Sequence, residues 1–348
     1  RPAAKWKAWL LVANRAARCL LVSSVPLVGS FLALPKMLLL ARSGPLCLKT
    51  KWLPGEEWWR PCEGGPPADV PWRNEWPSYV AAMWISVQFL YNFFWSCFCE
   101  PGSPATAGPK DGRFPVAWEG PQLFYVPRWC DLCQKWKPPR AHHSKRLGEC
   151  VLRMDHYCVV TENIVGERNH GYFVLMVIFG NIGLLYALLF VAKTLWLAWL
   201  PYWSLQAKFA KYAEQRGGYF QWVLLGGHLH VMKALLGFEV PLLLILTVVA
   251  LLLLAPLLQH VGLALEGITV LESMGHGDAI DLPGTKALRL QPGDFSLGPW
   301  HQNLRALLGP KWPWRLLLPV GGSPAAEESA LLGREVLEEL SSLFGLDG

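Results

Sequence analysis

The stretch WCDLCQKWKPPRAHHSKRLGECVLRMDHYC, residues 129–158, decides how the chain is read. Two residues separate Cys130 from Cys133, nine separate Cys133 from His143, and six separate His143 from Cys150. A short knuckle followed by two more soft donors suits a tetrahedral ion, zinc above all. The expected ligands are Cys130, Cys133, His143 and Cys150, and His142 satisfies the spacing as well as His143 does. So polar a segment has little core of its own, so one structural ion would supply its folding energy. At the end of the stretch, Asp155, His156 and Cys158 place an acid, an imidazole and a thiol close together. A free thiol titrates near about pH 8.5 and is mostly protonated at neutral pH. A neighbouring imidazole can take its proton, and a carboxylate can orient that imidazole and stabilise its cation.

Outward from this stretch the chain is apolar. Of 348 residues, 52% are hydrophobic and only 17% charged, less charge than a soluble domain of this size carries. Nineteen tryptophans suit the membrane interface. The net charge of +6 comes without a basic stripe interleaved with aromatics, which argues against nucleic acid as a partner. Four runs are long enough to cross about 30 Å of hydrocarbon. They are about Cys19 to Ala41, Trp76 to Cys99, Gly171 to Ala192 and Glu239 to Val261. Tyr219 to Phe238, with His228, His230 and Lys233, reads as an interfacial or re-entrant helix. The sequence therefore predicts an all-α integral membrane protein. Its four transmembrane helices would carry a cytosolic, zinc-binding, Cys-rich loop between helices 2 and 3. The expected divisions are residues 1–100 with helices 1 and 2, 101–170 as the catalytic domain, 171–261 with helices 3 and 4 and a lumenal loop, and 262–348 as a cytosolic C-terminal region. Most Lys and Arg fall in the termini and the central loop, which places those parts in the cytosol. Residues 101–125 read as a Pro- and Gly-rich linker. Leu332, Val336, Leu337, Leu340, Leu343 and Phe344 recur at helical spacing and predict a C-terminal helix that packs on its own protein.

Several separate motifs together resemble the DHHC protein S-acyltransferase (palmitoyltransferase) family. Lys137-Pro138-Pro139-Arg140-Ala141-His142-His143 is similar to K-P-x-R-x-H-H, and Asp155-His156-Tyr157-Cys158 to D-H-H-C. Asn163-Ile164-Val165-Gly166 with Asn169 is similar to N-C-V-G-x2-N, and Glu100-Pro101-Gly102 to Asp-Pro-Gly. Thr269-Val270-Leu271-Glu272 resembles T-T-x-E, and Asn303 with Gly309 resembles N-x5-G. The resemblance implies that Cys158 takes an acyl group from acyl-CoA such as palmitoyl-CoA, with His156 as base and Asp155 orienting it. A cysteine of a protein substrate, near the membrane, then receives the chain. The acyl tail would lie in a cavity among the four helices. Arg140, Lys145, Arg146 and Arg153 are candidates for the CoA phosphates, or equally for anionic headgroups of the lipid bilayer. The endoplasmic reticulum or Golgi membrane is the expected location.

The chain also departs from that pattern. A second ligand set would fall at Ser144, Leu147, Tyr157 and Ile164, none of which offers a thiolate or imidazole. One zinc instead of two is expected, with a small plug of Leu147, Tyr157 and Ile164, and Ser144 at its edge, in place of the other. Val159-Val160 stand where the family has Pro-Trp, and Val270 replaces the second Thr of T-T-x-E. The competing reading is a weak or inactive membrane scaffold of the same fold. Cys47 and Cys62 are candidates for a disulfide in a lumenal loop, and Cys97 and Cys99 for buried small hydrophobes or acylation sites. His228, His230, His260, His276 and His301 lack metal spacing to a cysteine and read as structural or interfacial.

Overall fold

The computed structural model describes residues 16, 76–104, 109–192, 240–275, 277–322 and 332–345. The chain divides into two units: residues 1–23, 87–180 and 255–348 form one, and residues 24–86 and 181–254 the other. The expectation of an all-α protein with four spanning helices is not met. Ten short strands lie between Phe114 and Arg289 among the described residues. Only two described helices are long and apolar enough to cross a membrane, His170–Ala192 (α2) and Val240–Glu266 (α3). The second expected span is helical, Trp76–Phe98 (α1), but Gln88, Asn92 and Ser96 dilute its apolarity. The first span, the Tyr219 to Phe238 run, and Cys47, Cys62 and His276 lie outside the described residues. A search for long apolar runs does not detect strands of two or three residues, which is where the reading of fold class failed.

In the first unit, six strands make three antiparallel hairpins. They pair Arg128–Cys130 (β3) with Lys135–Lys137 (β4), His142–Ser144 (β5) with Glu149–Val151 (β6), and His156–Cys158 (β7) with Asn163–Val165 (β8). All three share one plan. Cys130 faces Lys135, Ser144 faces Glu149 and Cys158 faces Asn163, each across a four-residue turn. The last turn residue is left-handed in every case: Gln134 at φ 53°, Gly148 at 74° and Glu162 at 51°. Two of these are not glycine, so the turn geometry is imposed against local preference.

The supposed linker and the C-terminal region share a sheet. Phe114–Pro115 (β1), Phe124–Tyr125 (β2), Ala279–Asp281 (β9) and Leu288–Arg289 (β10) pair antiparallel in the order β1-β2-β9-β10. Arg334–Leu343 (α7) covers this sheet through buried Val336 and Leu340, beside Val116, Leu123, Ile280 and Phe295. The chain enters α7 at Gly333, whose N–H donates to the Asp294 carbonyl at 2.6 Å. A Cβ at Gly333 would overlap the Ser296 carbonyl oxygen, so the approach requires glycine.

A second core surrounds β7. It joins Phe93 and Cys97 of α1, Cys158, Val165, Phe173 and Met176 of α2, Ala264 of α3, and Leu307 and Leu308 of Trp300–Leu308 (α5). In the other unit the Tyr186 hydroxyl donates to the Ser78 carbonyl at 2.8 Å. Val80, Leu185, Leu189, Leu244, Leu251 and Leu252 there are exposed.

Candidate active site and metal centre

The β3–β4 and β5–β6 hairpins bring the predicted ligands together. His143 Nδ1 lies 3.5 Å from Cys130 Sγ and 3.2 Å from Cys133 Sγ, and Cys150 Sγ lies 3.7 Å from Cys133 Sγ. With Zn–S bonds of about 2.3 Å, a tetrahedron has edges of about 3.8 Å, so the four donors fit one ion. Burial, then hydrogen bonds and like charge from Cys130 and Cys133, push the Cys150 thiol up to about 12. Ionising three thiols so close together needs a cation among them. Cys130, Cys133, His143 and Cys150 could therefore hold a metal.

A buried ionic brace ties these hairpins to the C-terminal region. The Arg140 guanidinium donates to both Glu272 oxygens, at 2.5 and 2.7 Å, and to the Gly267 carbonyl at 2.7 Å. It also sits 4.6 Å from the Phe295 ring centre. The Arg140 N–H donates to Asp278 at 2.7 Å, and Arg128 pairs with the same carboxylate at 2.6 Å. Glu272 closes a capping box with Thr269 at the start of Val270–Ser273 (α4). Burial opposes its charge, but Arg140 outweighs that and holds the carboxyl low. Arg153 is buried with its guanidinium toward the Gly267 carbonyl, and burial pulls it down to about 10. Of the four basic residues expected at CoA phosphates, Arg140 and Arg153 are thus enclosed within the fold. Lys145 and Arg146 are exposed in the β5–β6 turn.

Asp155, His156 and Cys158 meet in the third hairpin. His156 Nδ1 lies 2.6 Å from Asp155 Oδ2, which leaves Nε2 for the nearby Cys158 thiol, a neighbour that also raises the ring's basicity. Asp155 is 1% exposed. Its Oδ1 accepts the Val270 N–H at 2.8 Å, so residue 270 serves through its backbone. Burial opposes ionisation of Asp155, but His170, His156 and that N–H outweigh it and hold the carboxyl well below the usual range. Burial also works against charge on His156, yet Asp155 and then Cys158 raise it to about 9. For Cys158 burial favours the thiol, while His156 and the Thr161 backbone favour the thiolate, and the net direction is down. The turn plan explains the backbone contribution. The N–H three residues on approaches the first side chain in each hairpin: Cys133 to Cys130, Leu147 to Ser144 Oγ at 3.3 Å, and Thr161 to Cys158. The nucleophile candidate therefore occupies the first ligand position of a knuckle turn.

Two asparagines fix this hairpin to α1. Asn163 Nδ2 donates to the Ser96, Cys97 and Cys99 carbonyls at 3.1, 3.2 and 2.9 Å, satisfying helix-end acceptors. Asn169 accepts the Gly166 N–H at 2.8 Å and donates to the Ile164 carbonyl at 2.8 Å. Asn303 donates to the Leu265 carbonyl at 2.8 Å and so holds the end of α3. At the positions lacking metal ligands, Ile164 and Ser144 are buried and Leu147 and Tyr157 half-buried. The plug is partly polar: the Tyr157 hydroxyl donates to Glu162 and accepts from Arg146 at 2.9 Å, and Arg146 lies 3.8 Å over the ring.

Sequence reasoning missed His260. It reaches the site from α3, with Nδ1 3.8 Å from Asp155 Oδ2 and its ring 5.0 Å from that of His156. His170 Nε2 lies 3.9 Å from Asp155 Oδ1. Neither stands near a cysteine in sequence, which is the signal used to sort the histidines.

A family model described as DHHC palmitoyltransferase matches residues 124–277. The chain is 38% identical over 104 residues to palmitoyltransferase PFA4 of Yarrowia lipolytica, covering 29% of this chain and 25% of that protein. It is 29% identical over 117 residues to the probable protein S-acyltransferase 16 of Arabidopsis thaliana, covering 32% and 40%. It is 38% identical over 77 residues to palmitoyltransferase ZDHHC15 of Xenopus laevis, covering 22% of each. The chain thus spans less than half the length of these curated relatives. The matched stretch, which contains Asp155-His156-Tyr157-Cys158, is similar to the DHHC palmitoyltransferase family.

Proposed function

We propose that the chain is a protein S-acyltransferase that moves a long-chain acyl group from acyl-CoA to protein cysteines through a thioester on Cys158. The observation that carries this is the line Asp155–His156–Cys158, with its 2.6 Å bond at one end and a thiol shifted toward thiolate at the other. The Cys158 thiolate attacks the acyl-CoA carbonyl, its proton held on His156. As the tetrahedral adduct collapses, the C–S bond to CoA breaks and His156 returns the proton to the departing sulfur. A substrate cysteine then gives its proton to His156 and attacks the Cys158 thioester, and Cys158 leaves as thiolate. Asp155 stabilises the imidazolium in both halves. Bonds broken and formed are alike, so no energy-coupling cofactor is needed.

Zinc is the metal that the three thiolates and one imidazole favour, and it supplies folding energy and no step of the transfer. The exposure of Lys145 and Arg146 in the β5–β6 turn supports a role for them in meeting CoA phosphates or lipid headgroups. Val159 and Val160, exposed beside Cys158, give the turn an apolar tip suited to the bilayer surface. The catalytic hairpins and both termini face the cytosol of an endoplasmic reticulum or Golgi membrane in this reading. The test is incubation of purified protein with labelled palmitoyl-CoA. Hydroxylamine-sensitive label on the wild type and none on Cys158→Ser is expected. Equal label on both, or none on either, would overturn the reading.

A further inference from the structure

His260 is a largely enclosed imidazole that the proposed chemistry does not use. Its ring tilts 31° from the His156 ring at 5.0 Å between centroids. Phe173 of α2 meets His156 edge-on at 4.9 Å and 71°, and meets His260 at 4.8 Å and 82°. The three rings form a closed triangle, with one corner from the catalytic hairpin and one from each apolar helix. His260 Nδ1 is buried with no hydrogen-bond partner and faces the Asp155 carboxylate at 3.8 Å. A ring that touches His156 on one face while Phe173 touches another leaves the imidazole little freedom to rotate. Rotation would exchange the nitrogens that face Asp155 and Cys158 and would break the line between them.

We infer that His260 is a positioning residue: with Phe173 it clamps the His156 ring so that Nδ1 stays on Asp155 and Nε2 on Cys158. The clamp belongs to the proposed acyl transfer but can be measured without it. The charged and titratable groups around His156 are Asp155 just before its strand, Cys158 on it, His170 from α2, His260 from α3, and Arg153 next to them. A pH profile must therefore be compared between variants and not read alone.

The experiment is the rate of Cys158 alkylation by iodoacetamide against pH, in full-length metal-loaded protein, with Cys158→Ser as background. His260→Ala should move the acid limb of the profile upward toward an ordinary thiol. It should also lower the acylation rate about 10- to 100-fold with little change in acyl-CoA KM, the cost of a misplaced base. His260→Phe keeps the ring face and should recover most of the loss. Metal content and melting temperature are measured alongside. An unshifted alkylation profile in His260→Ala would overturn the clamp. So would a His260→Phe variant, folded and metal-loaded, that behaves like His260→Ala. Absence of acylation in the wild type would refute the acyltransferase reading and leave the alkylation test standing.

Discussion

Tyr157 stands where the resemblance would put a further metal ligand. Its ring pairs across the hairpin with Ile164, and its hydroxyl joins Glu162 to Arg146. Tyr157→Phe keeps the ring and removes both hydrogen bonds. It should cost about 1–2 kcal/mol of stability in chemical denaturation, with the metal content unchanged. Tyr157→His should not recruit a second ion, because Ser144, Leu147 and Ile164 still offer no soft donor. His156 makes a pH prediction. Its folded value is raised to about 9, against about 6.5 for a free imidazole. A raised value stabilises the fold fully below about pH 6.5 and loses that contribution as pH rises through about 9. The difference in melting temperature between wild type and His156→Gln should shrink across that window. A constant difference would contradict the pairing with Asp155 and Cys158.

At the scale of elements, an ionic brace holds the hairpins, and the proposed metal would add a second fastener. Glu272→Gln removes the carboxylate charge that faces the buried Arg140 guanidinium and should cost about 3–5 kcal/mol, read by denaturation. Stripping the ion with a chelator should abolish protection of the β3–β6 amides in hydrogen exchange before that of α2. Elemental analysis of the intact protein should return one metal per chain. The site lay open in the sequence to the extent that spacing carries it. Cys130, Cys133, His143 and Cys150 were legible because a metal demands soft donors at short intervals. Asp155, His156 and Cys158 were legible because they are near neighbours. Arg140 and Arg153 were not. A lone basic residue does not say whether it faces a phosphate or a carboxylate 132 residues away, as Arg140 faces Glu272. Val270 departs from T-T-x-E, yet its contact with Asp155 runs through a backbone N–H that any residue but proline supplies.

For the whole molecule, apolar run length located α1, α2 and α3 to within a few residues, because hydrophobic length is a direct physical requirement. It said nothing of the strands, whose pairs are too short to leave a periodic trace. It also gave no hint that residues 114–125 share a sheet with residues 279–289, a pairing made only by tertiary contact. The same long-range convergence has a mechanical consequence. Asp155 is touched by residues from the start of α2 and the end of α3. In the spanning reading proposed above, bilayer thickness sets the tilt of those helices at modest energetic cost. Lipid length then acts as a remote dial on a proton-transfer line. Vesicles of short-, matched- and long-chain phosphatidylcholine should give acylation rates that peak at one thickness, with metal content constant throughout.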